Sequence, residues 1–79
     1  MWIETRYYDD GRVLAKLHTG QKVTIRDDAD YDAYITTLTE EYSLEDVVAE
    51  LNICDDEELA AYIIRELRAG KWVNITEWV

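Results

Sequence analysis

The sequence predicts an α+β domain: an antiparallel sheet of about four strands with two to three helices packed on one face, in the order β-β-β-α-α-α-β. Three observations carry this expectation. The first 26 residues alternate apolar and polar side chains, with glycine-bearing turns between the runs. From residue 29 the apolar spacing lengthens to a helical period. After Gly70 the alternation returns. With 48% apolar side chains, the 79 residues are enough for one core, so residues 1–79 are read as a single domain. There is no proline and no linker, repeat or low-complexity stretch.

In chain order, Trp2–Tyr8 places Ile3, Thr5 and Tyr7 on one face and Trp2, Glu4, Arg6 and Tyr8 on the other, the pattern of a half-buried strand. Asp9-Asp10-Gly11 reads as a hairpin turn, with Gly11 free to take positive φ. Residues 12–18 form a second strand, with Val13, Ala15 and Leu17 inward. Residues 22–26 form a third, with Val23 and Ile25 inward. The outer face of this meander then holds Arg6, Lys16, Lys22 and Arg26, and Glu4 can pair across strands with one of them.

Over residues 29–42, Tyr31, Tyr34, Ile35, Leu38 and Tyr42 recur at helical spacing, and Asp28 or Asp30 can act as N-cap. Ser43 opens a second helix with Asp46 in a capping-box position, and Leu44, Val47, Val48 and Leu51 form its apolar stripe. Asp55 caps a third helix that buries Leu59, Ala60, Tyr62, Ile63, Ile64 and Leu67, and Gly70 ends it. Residues 71–79 form the last strand, with Val73 and Ile75 inward and Trp72, Asn74, Thr76 and Trp78 outward.

Charge is the most informative feature. Thirteen carboxylates lie between residues 27 and 58: Asp27, Asp28, Asp30, Asp32, Glu40, Glu41, Glu45, Asp46, Glu50, Asp55, Asp56, Glu57 and Glu58. That stretch contains no Lys or Arg, while the flanks carry small positive balances, so it sets the whole net charge of −10. Exposed helices ordinarily interleave the signs for i,i+4 pairing, and this segment does not. Capping explains some of these acids, but not the lack of compensating bases. Such a surface repels nucleic acid and anionic membranes and attracts a basic protein.

Catalytic and metal chemistries find little support. His18 is the only histidine and Cys54 the only cysteine, which excludes an internal disulfide and a thiolate zinc site. Cys54 reads as a small buried hydrophobe and His18 as an exposed strand-end residue. Asp28-x-Asp30-x-Asp32 begins like a calcium loop, but Ala33 stands where that loop needs Gly and Thr39 where it needs Glu. There is no glycine-rich phosphate loop, and no cofactor is expected. With no signal-peptide pattern and no apolar run near ~18 residues, the chain is expected to be cytoplasmic.

Thr19-Gly20-Gln21, then Asp27-Asp28-x-x-Tyr31-x-x-Tyr34, then Leu67-x-x-Gly70-x-Trp72-Val73-Asn74-Ile75 resembles a small family of anti-CRISPR proteins that inhibit the type I-F surveillance complex. Its members are short, acidic and encoded by phages or mobile elements, with a β-β-α-α-β order. Their carboxylates occupy the lysine-lined site where the complex reads DNA beside its target. The resemblance implies that Asp27 and Asp28 imitate DNA phosphates and that Trp72, Val73 and Ile75 are structural. It also implies a bacterial host cell as location and a CRISPR-Cas subunit as partner. The chain departs from the family in an extra N-terminal strand, a longer first helix and the 54–58 cap region.

The sequence thus leads to a non-enzymatic inhibitor, monomer or homodimer, whose acidic helical surface mimics DNA. All thirteen carboxylates are its candidate contacts. The alternative is a small acidic adaptor or antitoxin-like subunit that covers one basic partner through an apolar patch such as Trp72 and Trp78.

Overall fold

The computed structural model describes residues 1–21, 30–51, 53 and 56–78. Its order is β1 (Trp2–Tyr8), β2 (Val13–His18), β3 (Tyr31–Thr37), α1 (Leu44–Ala49), α2 (Glu57–Arg68) and β4 (Val73–Asn74), closed by a short 3-10 turn over Thr76–Trp78. The α+β class holds: four strands form one sheet, ordered β3-β1-β2-β4, and every strand pairing is antiparallel.

The β1–β2 hairpin forms as its alternation dictates. Ile3 stands opposite Leu17, Thr5 opposite Ala15 and Tyr7 opposite Val13. Gly11 takes φ 94° in the turn, which a side chain would resist, and Asp10 accepts from the backbone N–H of Arg12 at 3.1 Å. Ile3, Val13, Ala15 and Leu17 face Leu44 and Val48 of α1 and Ile63 and Leu67 of α2, and Val73 and Ile75 complete this core. Each of the larger aliphatic chains contributes about 1.5–3 kcal/mol by leaving water.

Two expectations about the strands are corrected. Residues 31–37, expected inside a helix, form β3, so no helix there needs Asp28 or Asp30 as a cap. Tyr, Ile and paired Thr suit a pleated surface, and β1 offers a free edge, so pairing outweighs the helical spacing. Tyr31, Ala33 and Ile35 are half-buried on the face away from the helices, whereas Asp32 and Tyr34 are exposed on the other. The expected last strand is also shorter. Only Val73–Asn74 pairs with β2, and the chain then winds into the 3-10 turn that sets Trp78 against the core. The expected third strand, residues 22–26, lies outside the described residues.

The helices follow their caps. Ser43 and Asp46 form the expected capping box, with the Ser43 amide donating to the Asp46 carboxylate at 2.8 Å. Asp56, not Asp55, caps α2, accepting from the Leu59 N–H at 3.0 Å; Asp55 itself lies outside the described residues. Gly70 takes φ 77° just past α2, as expected of a residue that ends a helix.

Candidate functional site

The strand and helix directions gather carboxylates at one end of the molecule. The β1–β2 turn places Asp9 and Asp10 there, and the Asp9 amide donates to the Asp30 carbonyl at 3.1 Å, which draws in the start of β3. Asp32 follows on β3, directly opposite Tyr7. α1 ends at this pole with Glu50, and α2 begins at it with Asp56, Glu57 and Glu58. Glu77 of the 3-10 turn lies beside it, because Ile75 just before is bonded to Val13 at the start of β2. Of the residues singled out by sequence, Asp30, Asp32, Glu50, Asp56, Glu57 and Glu58 are therefore brought together.

The others are not. Glu40 and Glu41 form the tip of a turn closed by the Thr39 amide on the Tyr42 carbonyl, at 2.9 Å, near the opposite end. Glu45 and Asp46 sit in the first turn of α1 at that same end. The acids thus do not share one helical flank, because the segment that was to carry four of them is a strand and a loop. Asp27, Asp28 and Asp55 lie outside the described residues.

Several acids have structural duties. Asp46 and Asp56 cap helices, and Glu50 accepts the Tyr42 hydroxyl at 2.6 Å. That bond pushes the Tyr42 hydroxyl above its ordinary pKa, with burial and the charges of Glu50 and Asp46 acting in the same direction. Glu45 is paired with Arg68. Its own backbone N–H holds its carboxyl below the usual range, and the Arg68 charge adds to this.

All six described Lys and Arg residues are already engaged. Arg6 pairs with Glu4, Arg12 with Asp10, Arg68 with Glu45 and Lys71 with Glu66. Lys16 lies over the ring of Trp72 and Arg65 over that of Tyr62. No ion pair with a described cation engages Asp9, Asp30, Asp32, Glu40, Glu41, Asp46, Glu50, Asp56, Glu57, Glu58 or Glu77.

The face of the sheet away from the helices closes on itself. Glu4 is buried there, its side chain 4% exposed, between Arg6 Nε at 2.5 Å and His18 Nε2 at 3.0 Å. Trp2 stacks on His18 at 4.0 Å and donates its indole N–H to the Gly20 carbonyl. The Arg6 guanidinium lies between Tyr31 and Trp72, 4.4 and 4.3 Å from the two ring centres. Glu4 was expected to pair across strands with one of the outer-face cations; it instead pairs with Arg6 along its own strand and with His18 on the neighbouring strand. His18, expected to be exposed, is instead half-buried by the indole and the carboxylate. The i,i+2 positions of Trp2, Glu4 and Arg6 on one strand face were the available signal. This face holds its cations against its own aromatics and its own carboxylate, which makes it a structural layer.

The helix side differs. The helices cover β2 and β4, and β3 contributes nothing to the core, so the pleat face of Tyr7 and Tyr34 stays open. Tyr7 is 41% and Tyr34 59% exposed, and their rings meet at 5.4 Å. Tyr7 also lines a cleft of about 410 Å³ that runs inward between α1, α2 and the sheet, with Glu50, Leu51 and Trp78 among its walls. Sequence reasoning missed this cleft, because it placed Trp78 on the outer sheet face.

Among the described residues, no group of three or more His, Cys, Asp or Glu is placed to hold a metal ion, and no helix is long and apolar enough to cross a membrane. In comparisons with known proteins, the chain matches no protein-family model, no curated protein and no solved structure.

Proposed function

We propose that this protein is a non-catalytic inhibitor whose acidic pole imitates DNA and docks on a basic, DNA-binding surface of a CRISPR effector complex. One observation carries the reading: the described cations are all internally engaged, so among the described residues only Asp10, paired with Arg12, has a counter-charge at the pole. A duplex carries one negative charge per ~1.7 Å of axis, so a length of about 20 Å carries roughly a dozen. The pole gathers Asp9, Asp30, Asp32, Glu50, Asp56, Glu57, Glu58 and Glu77, together with Asp10, which Arg12 neutralises. Attraction between such a pole and a lysine-lined channel is long-range, fast and weakened by salt. The resemblance to the type I-F inhibitors supports the choice of target and assigns Asp27 and Asp28 to the same contact.

The test is capture of partners from a bacterial lysate at low salt, followed by a salt gradient and by competition with duplex DNA. A CRISPR subunit that elutes steeply with salt, is displaced by DNA and is lost on reversing Asp30 and Asp32, or Asp27 and Asp28, to Lys is the expected result. A partner that survives high salt and ignores DNA favours the second reading, a small acidic adaptor or antitoxin-like subunit. The open Tyr7–Tyr34 surface speaks for that reading. Trp72, the residue first named for it, is 37% exposed and has Arg6 and Lys16 over its ring.

A further inference from the structure

The aromatic rings of this protein show how it handles cations. Tyr31 and Trp72 carry Arg6, Tyr8 carries Arg12, and Tyr62 carries Arg65. Tyr7 and Tyr34 are exposed aromatics that, among the described residues, have no cation over them. Tyr7 lines the cleft between the helices and the sheet, and Tyr34 adjoins it through its contact with Tyr7. Their edge-to-face contact, at 88°, turns the two ring faces in different directions and leaves them open to a ligand.

The cleft behind them is amphipathic in a specific order. Its deeper wall is aliphatic, from Ile3, Val48 and Ile63, and the half-buried Val47, Leu51 and Trp78 line it nearer the surface. Its charge is at the rim: Glu50 lines the opening, and Asp32 stands beside Tyr7 in the strand register. An apolar slot with carboxylates and aromatic faces at its mouth matches a long side chain with a methylene stem and a cationic head. It does not match a phosphate, a carboxylate or a purely aliphatic chain, which would meet Glu50 and Asp32 unfavourably or leave them desolvated.

We propose that the cleft lined by Tyr7 and Trp78, with Tyr34 beside Tyr7 at its outer edge, seats one lysine or arginine side chain projected by a basic partner protein. The stem lies along Val47 and Leu51, and the head reaches Glu50, Asp32 and the tyrosine faces. This rests on the reading of the pole as a surface for a basic protein and names the anchor within it. The occupant is a protein side chain rather than a free polyamine, because carboxylates continue beyond the rim to Asp30, Glu57 and Glu58, where the anchor's neighbours would lie.

The probe is a peptide of alternating arginine and serine, titrated into the full 15N-labelled chain at low salt, with spermidine in parallel. The expected shifts centre on the Trp78 indole N–H and the amides of Tyr7, Tyr34, Val47 and Leu51. Glu50→Gln and Tyr34→Ala each weaken peptide binding by about tenfold, the scale of a desolvated cation–aromatic contact. Glu41→Gln, at the far end of α1, changes it by less than about twofold. Glu50 and Tyr34 are both exposed, and thermal melts of each variant verify folding. If either variant fails to fold, Asp32→Asn takes its place.

The slot is overturned if shifts spread over all the acids, or if Glu41→Gln costs as much as Glu50→Gln; in either case the basic-partner reading stands. Equal spermidine shifts at the cleft overturn the protein source. Absence of any salt-sensitive peptide binding overturns the slot. The reading of the pole fails separately, when reversing Asp30 and Asp32 leaves capture of the natural partner unchanged.

Discussion

The ring of Tyr34 meets that of Tyr7 edge-on, across neighbouring strands and outside the core. An aromatic pair of this geometry contributes about 0.5–1.5 kcal/mol beyond its buried area. Tyr34 buries little else, so Tyr34→Ala is expected to cost no more than that range in urea unfolding. A larger loss would mean that Tyr34 carries core packing, and its place at a binding surface would then have to be abandoned.

Glu4 behaves differently, because its carboxylate is buried between two donors. Replacing it by Gln leaves Arg6 and His18 without a charged partner in a half-buried layer. Hydrogen bonds to a charged group contribute about 1.5–3 kcal/mol, and that is the expected loss in urea unfolding. The Arg6 guanidinium should also leave its place between Tyr31 and Trp72, which near-ultraviolet circular dichroism of the tryptophans would register. Unaltered stability and spectrum would show that the layer is held by Trp2 and Trp72 alone.

Ile63 is the most buried aliphatic side chain of α2, at 1% exposure, and reaches both the sheet and α1. Ile63→Ala is expected to cost about 2–5 kcal/mol through lost burial and the cavity left behind. A domain of this size holds roughly 4–12 kcal/mol in all, so the variant should be partly unfolded at 37 °C by calorimetry. Ile63→Val, at about 0.5–1.5 kcal/mol, should stay folded.

How much of this was legible in the sequence depends on how local each signal was. The hairpin, the Ser43–Asp46 capping box, the inward set Ile3, Val13, Ala15 and Leu17, and the end of α2 at Gly70 all follow from residues within a few positions of one another. The cap of α2 was displaced by one residue, from Asp55 to Asp56, because the Asp55–Glu58 spacing fits a capping box while Asp56 caps with its own side chain on the Leu59 N–H. Residues 31–37 satisfy both a helical and a strand pattern, since Tyr31, Tyr34 and Ile35 fit a period of 3.6 while Tyr31, Ala33 and Ile35 fit a period of 2. Only the free edge of β1 decides between them, and that edge is a tertiary fact. The same decision split the acids between two ends of the molecule and brought Tyr34 beside Tyr7. Carboxylate excess was therefore readable from the chain alone, whereas its pole and the adjoining cleft were not.

The Glu45–Arg68 pair joins the start of α1 to the end of α2, and its acid behaviour has a definite sign. The folded carboxyl titrates below its ordinary value, held there first by its own backbone N–H and then by Arg68. Its contribution to stability is present above the unfolded-state value and is lost as pH falls through the folded value. Arg68→Ala should move the Glu45 carboxyl upward, by 13C-detected titration, while leaving it below the unfolded reference because the backbone bond remains. A carboxyl that does not move would mean that the pair is not formed in solution.

Tyr42 reports the opposite end of the pH scale. Its hydroxyl donates to Glu50, and that bond, aided by burial and nearby negative charge, raises its pKa above the ordinary 10.0. The protonated phenol is thus stabilised by folding. Its contribution is complete below the unfolded value and disappears as pH rises through the raised folded value. Glu50→Gln keeps an acceptor but removes the charge, so Tyr42 should ionise earlier. In an absorbance titration at the phenolate band, one of the six tyrosines should move to lower pH while the fold is retained. If the titration does not change, Glu50 is not held by Tyr42, and its carboxylate is as free as those of Glu57 and Glu58. If it does change, Glu50 is pre-positioned at the mouth of the cleft, and a cation entering there would compete with Tyr42 for the same oxygen. Peptide binding at the cleft should then lower the apparent pKa of Tyr42 in the wild-type protein and leave that of Glu50→Gln where it was.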